Sequence, residues 1–455
     1  METVAIKDIF KNYKQYQEVG LMGWVRSNRD NGSIGFISFT DGSSVNSIQL
    51  VYKANELDQA EFEAAKTIRT GSAIYVVGQV IESRQEGQTF EVKVLGIKLL
   101  KQADENYPLQ KKEHSPEFLR TISHLRHRTN RYGAIMRLRS EVSFAIHNFF
   151  HQNNFTWVSS PIITSNDAEG AGENFNVDSK TVKNFFGKSA SLTVSGQLHA
   201  EAYAQGFKRV YTFGPTFRAE KSNTNRHISE FWMVEPEVAF CNLEKLMYLI
   251  EEFVKYLLRF VMKNCKDEMS FLNKLSNNTL SFKLLNAIEQ PFERITYKEA
   301  IQILKSHQGQ NKVKFENSNI YFGMDLNSEH EKYICEQVYN KPVFIYNYPA
   351  EIKSFYMKLN NDGTTVAACD LLMPGIGEIV GGSQREDDYN KLMKKCTKLN
   401  MSTKEIEWYL NLRRYGYYNS AGFGLGFERF LMYITNTDNV KDVIPFPRSY
   451  GNLDF

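Results

Sequence analysis

Between residues 20 and 100, apolar and polar positions alternate in five short runs, 20–30, 34–42, 47–53, 72–84 and 89–100. β-branched and aromatic residues fill these runs, and a period of two is what a pleated, half-buried strand requires. Asn31-Gly32, Asp41-Gly42 and Glu86-Gly87 fall at or between them as turn signals. Segment 56–69, ELDQAEFEAAKTIR, repeats its apolar residues at helical spacing instead. Five strands with one helix between the third and fourth is the order of an OB-fold β-barrel, and another small barrel is the alternative.

Residues 102–133 are polar and basic and read as a hinge or linker. The pattern then changes period. IMRLRSEVSFAIHNFFHQNN predicts a long amphipathic helix, which runs into a strand, FTWVSSPIIT, ending near Pro161. Strand and helix alternate from there to the C-terminus, with a helix-rich stretch at about 242–310 between two strand-rich blocks. The pattern therefore predicts an α+β protein. Its units are a barrel at 1–101, a linker at 102–133 and a larger domain at 134–455, with 242–310 an insertion or subdomain. A chain of 455 residues is too long for one ordinary core.

Composition narrows the picture only modestly. Hydrophobic residues at 42% and charged residues at 24% exclude long disorder. The net charge of +3 does not itself call for a nucleic acid. Arg120 to Arg139 is locally basic, with six arginines, His124, His127 and no acid. It suits either a phosphate backbone or a solvated helix face. Five dispersed cysteines, without a CxxC pair, argue against a disulfide framework or a structural zinc site. They fit a reducing compartment. No secretory leader is evident at the N-terminus, and no run is apolar enough to span a bilayer. A cytoplasmic location is expected.

Three separated segments carry the chemistry. The first is the helix–strand unit ending at Pro161. The second, VYTFGPTFRAEKSNTNRHISEFWMVEPEVAF at 210–240, reads as strand, polar loop, strand. Arg218 and Glu220, two apart, would share a strand face, and His227, Glu230, Phe231, Glu235 and Glu237 follow the loop. An arginine fork bonds two phosphate oxygens, and a phenylalanine offers a flat face to a purine. Cross-strand salt bridges around a core Phe are the alternative for this segment alone. The third, SAGFGLGFERFLMYI at 420–434, alternates Gly422, Gly424 and Gly426 before Glu428-Arg429 enters an apolar helix. Glycines admit a ligand close to the backbone. Phe427 breaks GxGxxG, so a dinucleotide-binding turn is a poor reading.

Taken together and in this order, the segments resemble the three signature motifs of the class II aminoacyl-tRNA synthetases, over essentially the whole chain. With the preceding OB-like domain they look like the aspartyl/asparaginyl/lysyl subgroup. HLRHRTNRYGAIMRLRS and DVIPFPRSYGN are most similar to its asparaginyl branch.

The resemblance implies an antiparallel catalytic sheet flanked by helices and a homodimer interface at the unit ending at Pro161. It implies ATP and Mg²⁺, activation of asparagine to an adenylate with release of pyrophosphate, and transfer to the terminal ribose of tRNA(Asn). Arg218 matches the arginine on the α-phosphate, Phe231 the ring under adenine, and Arg429 the arginine toward the γ-phosphate. Glu220 and His227 match the loop that contacts ATP, and Asp370 and Glu378 match the Mg²⁺-holding carboxylates, with two surface acids at a hairpin as the alternative. Ser195, Gln197 and Glu169 match positions around the α-amino group, and Arg385 the reader of the side-chain carbonyl. Gln197 and Glu201 share a helix face, so Glu201 is the expected acceptor for the amide NH₂ and the element against aspartate, with a supporting partner of Arg385 as the alternative. Aspartyl enzymes carry a lysine in this helix, where Ala200 stands here. Phe36 and Gln49 match residues that stack on and read the central anticodon base, with Arg26 and Arg29 on neighbouring bases or phosphate; a core Phe on a strand is the alternative. The rivals are an aspartate ligase, an asparagine synthetase on the same fold and a non-catalytic paralogue. The anticodon-type domain and the paired Arg218 and Arg429 speak against the last two.

Overall fold

A computed structural model describes residues 2–83, 89–165, 174–222 and 224–455. The chain divides into two compact units, Met1–Arg137 with Phe455, and Leu138–Asp454.

In the first unit, β1 (Glu18–Asp30), β2 (Ile34–Thr40), β3 (Ile48–Lys53), β4 (Ala73–Glu82) and β5 (Phe90–Lys101) close a barrel in the order β1-β2-β3-β5-β4. Helix Gln59–Lys66 lies between β3 and β4 and is N-capped by the Asp58 carboxylate. Alternate residues point inward, so Val19, Leu21, Ile37, Phe39, Leu50, Ile74, Val76 and Val92 fill the core. The turns at Gly32 and Gly42 take φ +95° and +82°, as glycine permits. The third predicted turn, Glu86-Gly87, lies outside the described residues.

Segment 102–133 is more ordered than its composition suggests. It holds helices Pro116–Thr121 and Ser123–Arg126, pinned by Leu109, Leu119 and Tyr132. Three anchors spread over 24 positions leave no periodic signal. The basic stretch is not one phosphate-facing surface. Arg126 is buried over the Tyr132 ring, and Arg139 pairs with Glu428 at 2.8 Å.

In the second unit, β6 (Thr156–Trp157) pairs with β9 (Arg209–Phe217), and β7 (Ile163–Thr164) with β8 (Ser191–Leu192). β10 (Glu230–Ala239), β11 (Glu293–Thr296), β12 (Val343–Pro349), β13 (Thr365–Met373), β14 (Gly377–Gln384) and β15 (Ser420–Gly426) complete the set. The main sheet runs β11-β12-β13-β14-β15-β10-β9-β6. Its end pairs are parallel and all its inner pairs antiparallel. The predicted strand through Pro161 breaks into β6 and β7, because a proline has no N–H for the ladder.

Helix Leu243–Asn264 buries Leu246, Ile250, Phe253 and Leu257 against β13, β14 and β15. The first helix of the 242–310 stretch is thus part of the core, and β11 from that stretch forms the sheet edge. A side chain added at Gly382 would meet Leu246, so the helix covers the Gly382 face. The neighbouring Gly381 belongs to the opposite, open face, since successive strand residues alternate.

Candidate active site

The open face of the sheet is a trough built by alternation. On β15, Gly422, Gly424 and Gly426 present no side chains, which leaves their neighbours room to lie across the floor. Register puts Glu237 of β10 opposite Gly422, and Gly422 opposite Ser383 of β14. A Cβ at Gly422 would sit 2.1 Å from Glu237 Oε1, so the Glu237 carboxylate occupies that space. One row along the trough, Glu235 faces Thr212, and Gly424 pairs with Gly381, which pairs with Asp370.

At the first row lies a buried ion pair. Arg385 Nη2 and Nε bond the two oxygens of Glu237, the second at 3.2 Å, and Nη1 donates to Ser383 Oγ at 2.7 Å. Arg385 is 2% exposed and Glu237 fully buried. Burial pushes the Glu237 carboxyl up to about 7 against the pull of Arg385, whose own charge the pair reinforces. At the second row, Glu235 accepts from Ser195 Oγ, from Gly196 N at 2.9 Å and from Thr212 Oγ1 at 3.1 Å. These bonds hold the entry to helix Gln197–Phe207 against the sheet. Gln197 is 9% exposed, and its Nε2 has no hydrogen-bond partner among the described residues. A buried amide left open in this way is costly unless a ligand completes it. Glu169, the remaining expected residue of this end, lies outside the described residues.

The structure gives Glu201 different neighbours from those expected. It is fully buried and accepts from Arg413 Nη2 and Tyr417 OH on Oε1, each at 2.6 Å, and from Tyr409 OH on Oε2 at 2.7 Å. Three protein donors already engage both oxygens. The acceptor beside Arg385 is Glu237, whose EPE alternation with Glu235 was its only sequence signal.

At the other end a cleft of about 160 Å³ is lined by Arg218, Glu220, Arg226, His227, Phe231, Glu378 and Arg429, among others. The strand-face argument for Arg218 and Glu220 does not hold, because β9 ends at Phe217 and both lie in the loop beyond. They nevertheless reach the cleft, where the Arg218 guanidinium stands 5.3 Å from the Phe231 ring centre. Phe231 is half-buried at the start of β10 and not in the core. His227 Nδ1 lies 2.6 Å from Thr224 Oγ1. Burial, with the charges of Arg429, Arg218 and Arg226, holds His227 below the usual imidazole range, while Glu220 pulls the other way. Arg429 Nη1 bonds the Glu378 carbonyl at 3.0 Å and its Oε2 at 3.4 Å.

Asp370 of β13, which pairs with Gly381, and Glu378 of β14 both reach the space left beside Gly381. Asp370 is not the surface acid that its hairpin position suggests, since Lys353 pairs with its Oδ2 at 2.6 Å and Tyr348 also bonds it. Burial raises the Asp370 carboxyl, opposed by Lys353 and reinforced by Glu378. A third acid, Glu331, was not foreseen; burial and then Glu378 push it up to about 8. Ion pairs occupy Asp370 Oδ2 and Glu378 Oε2. Asp370 Oδ1 and Glu378 Oε1 instead lie 3.5 and 3.3 Å from the empty Cβ position of Gly381. Two hard oxygens converging where acids repel one another fit a divalent cation such as Mg²⁺.

The barrel carries a separate surface. Arg29 pairs with Phe36 across β1 and β2, Ser38 pairs with Gln49 across β2 and β3, and these positions share the outer face. Phe36 is half-buried outside the core, with the Arg29 guanidinium 5.3 Å from its ring centre. Gln49 Nε2 reaches Glu91 at 3.4 Å. Arg26 sits in a β1 bulge, half-buried, where desolvation lowers its pKa.

Residues 115–450 match the family described as tRNA synthetases class II (D, K and N), and residues 19–100 match the OB-fold nucleic acid binding domain. The asparagine–tRNA ligase of Malacoplasma penetrans is 79% identical over 455 residues, covering 100% of both chains. That of Mycoplasma mycoides subsp. mycoides SC is 53% identical, covering 99% of this chain and 100% of its own. The asparaginyl-tRNA synthetase of Pyrococcus horikoshii, solved with asparaginyl-adenylate, superposes with a TM-score of 0.89 at 34% identity, covering 100% of this chain and 99% of its own. The barrel, the antiparallel sheet with its glycine-floored trough, and these matches agree: the chain belongs to the class II tRNA synthetases of the D, K and N group.

Proposed function

We propose that this protein activates asparagine with ATP, releasing pyrophosphate, and transfers it from the adenylate to the 3′-terminal ribose of tRNA(Asn). The Arg385–Glu237 pair carries this reading. A guanidinium and a carboxylate side by side match the two ends of a carboxamide: Arg385 donates to the oxygen and Glu237 accepts from the NH₂. Aspartate offers no N–H to Glu237 and brings a second negative charge against it. A site built around such bonds discriminates by ~10⁴ or more.

The rest of the trough follows from this placement. Ser195 and the open Gln197 amide serve the α-amino end, with Glu169 proposed beside them. The amino-acid carboxylate then points along the trough toward the cleft, where the ATP α-phosphate meets Arg218. Phe231 supports the adenine, Glu220 and His227 line the phosphate side, and Arg429 binds toward the γ-phosphate. Mg²⁺ would be held by Asp370 and Glu378 and would screen the triphosphate charge. No protein nucleophile is needed, because the protein aligns the reactants and stabilises charge growing on phosphorus.

ATP–pyrophosphate exchange without tRNA tests the reading, with asparagine and aspartate in parallel. Exchange with asparagine alone is expected. Exchange with aspartate alone would overturn the specificity, and exchange with neither would overturn the activity.

On the barrel, Phe36 is read as a platform for an anticodon base, with Arg26, Arg29 and Gln49 as its polar neighbours. Stacking contributes about 1–3 kcal/mol per base. Phe36→Ala should therefore raise the KM for tRNA roughly 5- to 150-fold and leave tRNA-free exchange unchanged. An unaltered KM for tRNA would remove the assignment.

The reading includes a homodimer. Phe144, Trp157 and Ile163 are 65%, 52% and 43% exposed along helix Asn130–Gln152, β6 and β7, a surface suited to a second copy. Sedimentation should give twice the 52.6 kDa chain mass, and a monomer at micromolar concentration would exclude it. All five cysteines are free and buried, which suits the cytoplasm.

A further inference from the structure

The pair Glu201–Arg413 stands directly behind the proposed amide-reading pair and is unused by the chemistry above. Arg413 is the hub. Its Nη2 bonds Glu201 Oε1 at 2.6 Å and Tyr409 OH at 2.9 Å, and its Nη1 bonds the Tyr409 carbonyl at 3.1 Å. Its guanidinium lies 4.2 and 4.3 Å from the ring centres of Tyr409 and Tyr417. The third nitrogen, Nε, bonds the carbonyl of Glu386 at 2.9 Å. Glu386 is the residue after Arg385. Its N–H in turn bonds the Tyr356 carbonyl at 2.8 Å, and the Arg385 guanidinium stands 5.2 Å from the Tyr356 ring centre. The backbone that aims Arg385 is therefore gripped from both sides, on one side by Arg413.

Glu201 makes that grip rigid. A guanidinium buried without a carboxylate would be strongly destabilising, so Glu201 fixes where Arg413 sits. Glu201 also stands on helix Gln197–Phe207, one turn after Gln197. On the same helix His199 stacks on Trp408 at 5.3 Å, beside Tyr409. One network thus ties the helix at the α-amino end of the trough to the strand end that carries Arg385.

We propose that Glu201 and Arg413 are positioning residues for asparagine recognition: without touching the substrate, their ion pair sets the distance between Gln197 and Arg385 through the Glu386 carbonyl. This rests on the asparagine reading given above. Substrate fixed at both ends, by its α-amino group and its carboxamide, is sensitive to that distance. ATP, bound at the far end of the trough, is not.

The test is pyrophosphate exchange by the full-length protein, with separate KM values for asparagine and ATP. Arg413→Lys keeps the charge but loses the fork that reaches Glu201 and Glu386 together. It should raise the KM for asparagine about 10-fold or more and leave the KM for ATP within about 2-fold, since misplacement by an ångström is costly to aligned reactants. Tyr417→Phe removes one bond to Glu201 without touching charge, and should raise the asparagine KM about 3-fold if Arg413→Lys does not fold. A fall in melting temperature with both KM values unchanged would make the network structural only and overturn the proposal. So would a Glu201→Gln effect on the asparagine KM with none from Arg413→Lys and Tyr417→Phe, which would mean direct contact by Glu201. Arg385→Ala is the control: if it leaves the asparagine KM unchanged, the pocket reading itself has failed, independently of Glu201 and Arg413.

Discussion

Replacing Arg218 by alanine should lower kcat for asparagine-dependent pyrophosphate exchange by about 10²–10³, the usual effect of removing one charge-stabilising donor from a transition state. The fold should survive, because Arg218 lies in the loop past the end of β9. The melting temperature should therefore move by only about 1–2 °C, because Arg218 lies outside the strands and the core. Arg218→Lys should recover part of the rate, since a point charge replaces part of what the planar fork provides. Exchange within threefold of the unaltered protein in the alanine variant would remove Arg218 from the reaction.

The second large effect is expected at Glu237. Glu237→Gln replaces a carboxylate proposed to accept from the substrate NH₂ with an amide that also presents donors. It also frees a buried arginine charge. The kcat/KM for asparagine should fall about 10³-fold, and aspartate should gain relative to asparagine, because the repelling charge has gone. An unchanged ratio between the two amino acids would show that discrimination lies elsewhere. Stability is the confounding quantity, since breaking a buried pair costs about 3–5 kcal/mol. The ratio of the two substrates in one preparation cancels any loss of folded protein.

What could be read from the residue order was whatever depended on short spacing. The barrel strands have one wet face, so apolar and polar residues alternate along them; Phe36 was singled out by family resemblance, and its place outside the core came from the structure. The alternate glycines at 422, 424 and 426 likewise announced a face without side chains. Pairings across the sheet left no local trace. Arg385 meets Glu237 from 148 positions away, and Glu201 meets Tyr409, Arg413 and Tyr417 from more than 200. Helix spacing placed Gln197 and Glu201 on one face correctly, but it gave no hint that three distant donors would engage Glu201. The same limit explains Asp370: its hairpin position was legible, and its partner Lys353 was not. Pro161 shows a different failure, in which an apolar run persisted although the ladder had lost a donor.

The four charged residues around the proposed amide-reading end come from positions 201, 237, 385 and 413, so they meet only when most of the larger unit has formed. Loops of that span close late and at an entropic cost. Asparagine should therefore bind the finished domain and no shorter piece of it. Each tenfold excess of asparagine over its dissociation constant would then add about 1.4 kcal/mol to the stability of the complete domain. In a cell with scarce asparagine, the amino acid would regulate the lifetime of its own enzyme as well as its turnover.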